Sequence, residues 1–158
     1  EVAQASILHF NARDLSQTAW AFAVFVLHDA PLLQAISEAT LAQLQSLNRS
    51  SFSSQTLANT LWSFAVLSVS STLLVQEISR AVLDQVEEFI PQHLANTVWA
   101  LAVLQVRDPK LLEAVGASAA VAMDSFDAQS VTNTVWGFAI LSDANRPLLA
   151  AVAGKCIR

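Results

Sequence analysis

The stretch Leu94-Ala95-Asn96-Thr97-Val98-Trp99-Ala100-Leu101-Ala102-Val103-Leu104 decides the fold, because near-copies of it recur along the chain. The copies begin Leu15-Ser16-Gln17-Thr18-Ala19-Trp20, Leu57-Ala58-Asn59-Thr60-Leu61-Trp62 and Val131-Thr132-Asn133-Thr134-Val135-Trp136. Together they account for all 4 tryptophans, which follow one another at intervals of 42, 37 and 37 residues. A phenylalanine stands ten residues before each tryptophan (Phe10, Phe52, Phe89, Phe126), so the register holds over a whole unit and chance similarity is excluded. A fixed period of this length is the mark of a repeat architecture in which each unit buries its apolar face on the next.

Helix signals frame each unit. Directly after the repeat phenylalanine come Asn11, Ser53 and Asp127 as N-caps, and Pro91 at a first helical position. From there helix A is expected to run about sixteen residues, on the order of 24 Å. It should end at the polar segments His28-Asp29-Ala30-Pro31, Ser68-Val69-Ser70-Ser71-Thr72, Val106-Arg107-Asp108-Pro109 and Ser142-Asp143-Ala144-Asn145-Arg146-Pro147. Three of these turns carry a proline suited to the first turn of the next helix. Helix B then holds apolar residues at helical spacing: Leu33, Ile36, Thr40 and Leu44; Val75, Ile78, Val82 and Val86; Leu112, Val115, Ala119 and Met123; Leu149, Val152 and Cys156. The expected fold is all-α, an α-solenoid of about four stacked helix-turn-helix repeats of roughly 37 residues, with A helices in one layer and B helices in another. The expected division of this single solenoid is the end of a preceding repeat at residues 1–9, repeat 1 at 10–51, repeat 2 at 52–88, repeat 3 at 89–125 and an incomplete repeat 4 at 126–158. The five extra residues before repeat 2 fall around Leu47-Asn48-Arg49-Ser50-Ser51, a polar loop where insertion is cheap. Neither end reads as a polar capping repeat, so the expectation is a segment of a longer array or ends that pack on partners.

Composition agrees with stacking. Hydrophobic residues make up 54% and charged residues 13% of 158, more apolar than most globular domains, as expected where helices have neighbours on both sides. The apolar runs Ala19 to Leu27 and Val98 to Leu104 are too short to span a bilayer. Net charge is −5, and the 8 basic residues are scattered without forming a stripe. The single cysteine, Cys156, excludes an internal disulfide, fits a reducing compartment and has no obvious activating partner. There is no basic leader after Glu1, so any targeting segment is expected to have been removed or to lie elsewhere.

The unit F-x-x-Q-x-L-A-N-T-x-W-x-F-A-x-L, best matched by Gln55 to Leu67, Gln92 to Leu104 and Gln129 to Leu141, resembles the octotricopeptide repeat of algal and alveolate organelle proteins. Repeat 1 departs from it, with Arg13 for the glutamine and Gln17 for the asparagine, and the Pro-Pro-Pro-Glu-Trp signature of green-algal members is missing. The resemblance implies an organellar α-solenoid, in the chloroplast more than the mitochondrion, of a kind that commonly binds single-stranded RNA.

Two sets of residues are singled out. Trp20, Trp62, Trp99 and Trp136, two positions from a Phe or Leu and flanked by Ala, Val and Ile, are expected to be structural core, which makes them poor base-stacking platforms. The amides Gln55 and Asn59, Gln92 and Asn96, Gln129 and Asn133 are pairs at i and i+4 on one helical face, with Gln17 at the asparagine position of repeat 1. They can form an inter-repeat ladder or read a ligand such as RNA base edges. Thr18, Thr60, Thr97 and Thr134 are expected to bond back to the carbonyl four residues earlier. His9, His28 and His93 share no repeat position, no metal spacing or glycine-rich phosphate loop occurs, and no catalytic residue, cofactor or metal site is expected. Two functions remain: a scaffold binding other proteins within a larger organellar assembly, and a single-stranded RNA-binding factor. The acidic balance favours the scaffold, because RNA affinity rests largely on Lys and Arg neutralising phosphates.

Overall fold

The computed structural model describes residue 7 and residues 9–46, 51–69 and 71–157. Among them are eight α-helices and no strand: α1 (Ala12–Val24), α2 (Ala30–Gln45), α3 (Ser54–Val66), α4 (Thr72–Gln85), α5 (Pro91–Val103), α6 (Pro109–Val121), α7 (Ala128–Ile140) and α8 (Arg146–Ile157). Short 3₁₀ turns, Val86–Glu88 and Met123–Ser125, follow α4 and α6. The odd-numbered helices pack each on the next, α1 on α3, α3 on α5 and α5 on α7, and so do the even-numbered ones. Most of the expected end of a preceding repeat (residues 1–6 and 8) and most of the loop insertion (residues 47–50) lie outside the described residues.

Each odd helix starts where its cap dictates. Asn11 and Asp14 form a reciprocal capping box, with Asp14 N–H donating to Asn11 Oδ1 (3.0 Å) and Asn11 N–H donating to Asp14 Oδ2 (3.1 Å). Ser53 Oγ accepts from Thr56 N–H, Asp127 Oδ1 accepts from Ser130 N–H, and Pro91 opens α5. The ends differ from expectation. All four odd helices are 13 residues long, shorter than the sixteen the apolar pattern suggested. Six residues after each tryptophan the chain enters the left-handed region, at Val26, Ser68, Gln105 and Ser142 (φ 53° to 56°). The next amide then reaches back to the carbonyl five residues earlier, as in Val106 N–H to Leu101 O (2.9 Å), and the left-handed residue bonds three back, as in Gln105 N–H to Ala102 O (3.1 Å). The same pair recurs at Leu27, Val69 and Asp143. This is a Schellman stop without glycine, repeated four times. The missing glycine is why the composition did not announce the stop.

The odd helices approach one another through small residues. Ser63, Ala100 and Gly137, each one position after its tryptophan, are fully buried or nearly so, with Ala58, Ala65, Ala95 and Ala102 beside them. A Cβ on Gly137 would stand 2.5 Å from Val98 Cγ1 and 3.0 Å from Val98 O of α5, so only glycine fits there. The large core groups come from the alternate position: Phe64, Leu101 and Phe138 are at most 2% exposed. The tryptophans are not core residues in the same sense, which corrects the expectation. Trp20 and Trp136 are 46% and 42% exposed, and Trp62 and Trp99 are half-buried. The reason is geometric: residues two apart on an α-helix point about 200° apart. If Phe64 faces the core, Trp62 faces away from it.

The even helices bury the predicted stripe, with Leu33, Ile36, Thr40 and Leu44, Val75, Ile78 and Val82, and Leu112, Val115, Ala119 and Met123 all inside. In α8, Leu149 and Cys156 are exposed and Val152 is half-buried, no further helix covering them among the described residues. Glutamines near the ends of α2 and α4 tie back to the residues just ahead of α1 and α3: Gln43 Nε2 donates to Phe10 O (2.8 Å) and Gln85 Nε2 to Phe52 O (3.0 Å). Asn145 caps α8 through Leu148 N–H (3.1 Å), and its side chain occupies the space that a Cβ at Gly116 of α6 would take.

Four outcomes follow from this packing. Gly137→Ala should lower stability by about 1–2 kcal/mol in urea titration, because the overpacking cost outweighs the helix propensity gained. Its counterpart Gly154→Ala, on α8 with nothing within 4 Å of the new Cβ, should raise stability by up to about 1 kcal/mol. Val26→Gly should stabilise by about 1 kcal/mol, since the left-handed conformation costs valine more than glycine's added chain freedom; an unchanged midpoint would show that the turn carries no strain. His93, whose ring lies edge-on to Phe89 and 3.2 Å from Ser54 Oγ on α3, has its pKa lowered below 6.5 by burial. The folded state therefore disfavours the charged ring, and its contribution is intact above the unfolded value and lost as pH falls through the folded one. Wild type should lose more stability between neutral pH and pH about 5 than His93→Gln does.

Candidate functional site

On each odd helix, positions separated by 4, 3 and 4 residues fall on one face. That face carries Gln55, Asn59, Trp62 and Val66 on α3, Gln92, Asn96, Trp99 and Val103 on α5, and Gln129, Asn133, Trp136 and Ile140 on α7. On α1 the same positions hold Arg13, Gln17, Trp20 and Val24. Since these helices lie side by side, the four faces join into one stripe running across them.

Its middle row is a line of indoles. The rings of Trp62 and Trp99 have centroids 6.4 Å apart with planes tilted 35°, and those of Trp99 and Trp136 are 6.4 Å apart at 29°. This is within the range of favourable aromatic contact, and rings in contact with one another leave no slot for a third ring between them. The indoles of Trp62, Trp99 and Trp136 thus form a continuous ridge whose outer side meets solvent.

The amides flank that ridge. Gln17, Gln55, Gln92 and Gln129 are exposed, and Asn59, Asn96 and Asn133 are half-buried. No hydrogen bond joins one of these side chains to another group among the described residues. The bond that involves Asn59 uses its backbone carbonyl, which accepts from Ser63 Oγ (2.7 Å). The sequence pattern placed these residues together correctly, but an amide-to-amide ladder holding the stack is not what the geometry draws. Contacts between helices are made by other groups, such as Ser16 Oγ donating to Thr56 O (3.2 Å) between α1 and α3.

The threonines split. Thr18 and Thr60 donate to the carbonyls of Asp14 and Thr56 four residues back (2.8 Å each). Thr97 and Thr134, buried in α5 and α7 as Thr60 is in α3, leave Oγ1 without a partner, so the expected back-bond is absent there. An orphaned buried hydroxyl costs about 1–3 kcal/mol.

The stripe carries no carboxylate and a single cation, Arg13, at its α1 end. Elsewhere Arg80 is bound to Glu77 (2.6 Å) and Lys155 Nζ donates to Asp124 O (3.1 Å). Cys156 is an exposed thiol, and no group of three His, Cys, Asp or Glu side chains among the described residues is arranged to hold a metal. None of the described helices is long and apolar enough to cross a membrane. Sequence reasoning missed the open ridge, although the two-residue offset between Trp and Phe contains it. It also missed the Gln43 and Gln85 ties, which nothing local in the chain advertises because their partners lie 33 residues away.

No curated protein matches the chain. The family model of the RNA-editing substrate-binding complex 6 protein matches residues 46–158, from the end of α2 onward, and so spans the three helices with complete Gln, Asn and Trp sets. The chain belongs to the RNA-editing substrate-binding complex 6 protein family.

Proposed function

We propose that this protein is a non-catalytic α-solenoid that serves as a protein-binding subunit of an assembly handling RNA, with residues 10–51, 52–88, 89–125 and 126–158 as its four units. The family's description names an RNA-editing substrate-binding complex, and a component of such a complex needs surfaces for its fellow subunits. The observation that carries the choice of protein over RNA is the charge of the stripe: sixteen repeated positions with one basic side chain. Neutral amides and indoles supply no long-range attraction for phosphates. Residence in an organelle, together with the octotricopeptide-repeat likeness from which it is inferred, belongs to the same proposal.

Direct RNA contact is the second reading, favoured by the unpaired amides and by the family's description. The two separate in one experiment. The native protein, purified from its source and treated with ribonuclease, should retain its protein partners. The isolated chain should bind single-stranded RNA weakly near physiological salt, with a shallow dependence of affinity on salt concentration. Partners lost on ribonuclease treatment, with nanomolar RNA binding by the chain alone, would replace the scaffold by an RNA reader.

A further inference from the structure

Three features of the stripe specify what covers it. The first is unmet hydrogen-bonding capacity. Each of Gln55, Asn59, Gln92, Asn96, Gln129 and Asn133 offers a carbonyl acceptor and an NH₂ donor, and none is bonded through its side chain among the described residues. A surface with both donors and acceptors, repeated once per unit, fits a partner that also alternates donor and acceptor along its length. A peptide backbone does so, and an extended one advances about 3.3 Å per residue. Two residues therefore span about the 6.4 Å that separates neighbouring indoles, and successive same-side side chains of an extended segment meet successive rings. The second feature is the indole ridge itself, open on one side and free of carboxylates. Tryptophan is the best aromatic partner for a cation, and aliphatic stems of Lys or Arg lie well on apolar ring surface. The third is charge. The chain carries −5 overall, which draws in a cationic segment and repels both an acidic segment and a phosphate chain.

Resting on the scaffold reading above, we propose that the stripe formed by Trp20, Trp62, Trp99, Trp136 and their flanking amides is a docking site for an extended, lysine- or arginine-bearing segment of a partner protein. The asparagines hold the segment's backbone, one unit to about two residues. The indoles take its alternate side chains. Arg13, in the place of a glutamine, sets the end at which a cationic side chain is unwelcome.

The chain is its own reporter. All 4 tryptophans lie on the stripe and there is no tyrosine, so its emission reads this surface. The whole chain is titrated with an unstructured alternating Lys-Thr peptide of about ten residues, with the matching Glu-Thr peptide, and with oligouridylate. A saturable change in emission is expected for the lysine peptide and neither of the others. Affinity should fall about tenfold or more in the Gln55→Ala, Gln92→Ala, Gln129→Ala variant, whose exposed side chains leave the fold undisturbed by circular dichroism. The Asn59→Ala, Asn96→Ala, Asn133→Ala variant should lose as much or more. No saturable response to the lysine peptide would overturn the proposal. So would a response that both variants keep, which would mark attraction by net charge alone. Oligouridylate binding lost in the variants would assign the stripe to RNA. Ribonuclease-resistant protein partners that stay bound to the glutamine variant would remove them from this surface while leaving the scaffold reading standing.

Discussion

Close approach of the odd-numbered helices governs the rest of the molecule. It requires small side chains at the seam, met by Ser63, Ala100 and Gly137, and it leaves Val98 no room for a Cβ at position 137. Once those residues take the seam, helical geometry assigns the others: Phe64, Leu101 and Phe138 turn toward the core and the tryptophans turn to the opposite side. The ridge of indoles is thus a by-product of helix spacing as much as a feature in itself. Helices set further apart would pull the rings out of contact and open the line.

Much of this was legible in the sequence. The period, the caps at Asn11, Ser53 and Asp127, the first-turn prolines and the buried face of α2, α4 and α6 all follow from patterns that local chemistry enforces. The candidate site was legible as a set, since i and i+4 spacing places Gln and Asn together whatever surrounds them. What escaped was the environment of that set. Aromatic residues amid Ala, Val and Leu read as core, because composition within a window does not separate a face against the B layer from a face against solvent. The left-handed stops escaped because no glycine marks them: Val26 and Gln105 adopt the conformation themselves.

Membership in the RNA-editing substrate-binding complex 6 family and a surface poor in cations are compatible. An assembly that binds RNA needs subunits that hold other subunits in place, and those are freed from the charge such binding demands. Helix α1, which lies outside the matched residues 46–158, is also the one with Arg13 and Gln17 in the amide positions. The departure in motif and the edge of the family match therefore fall together, and both place the regular part of the stripe on α3, α5 and α7.

The four-fold recurrence of the turn after the tryptophan also bears on how such a chain tolerates insertions and deletions. Gain or loss of a whole unit keeps each helix against a neighbour of the same kind, so an array can lengthen without inventing an interface. A single residue gained within an odd helix is another matter. It turns everything beyond it by about 100°, carrying an indole toward the seam and a core phenylalanine out to water. The five additional residues between Trp20 and Trp62 fall outside α1, which keeps the same 13 residues as the other three odd helices. The difference in spacing is thus confined to the connections, and the phase of the four odd helices is the same.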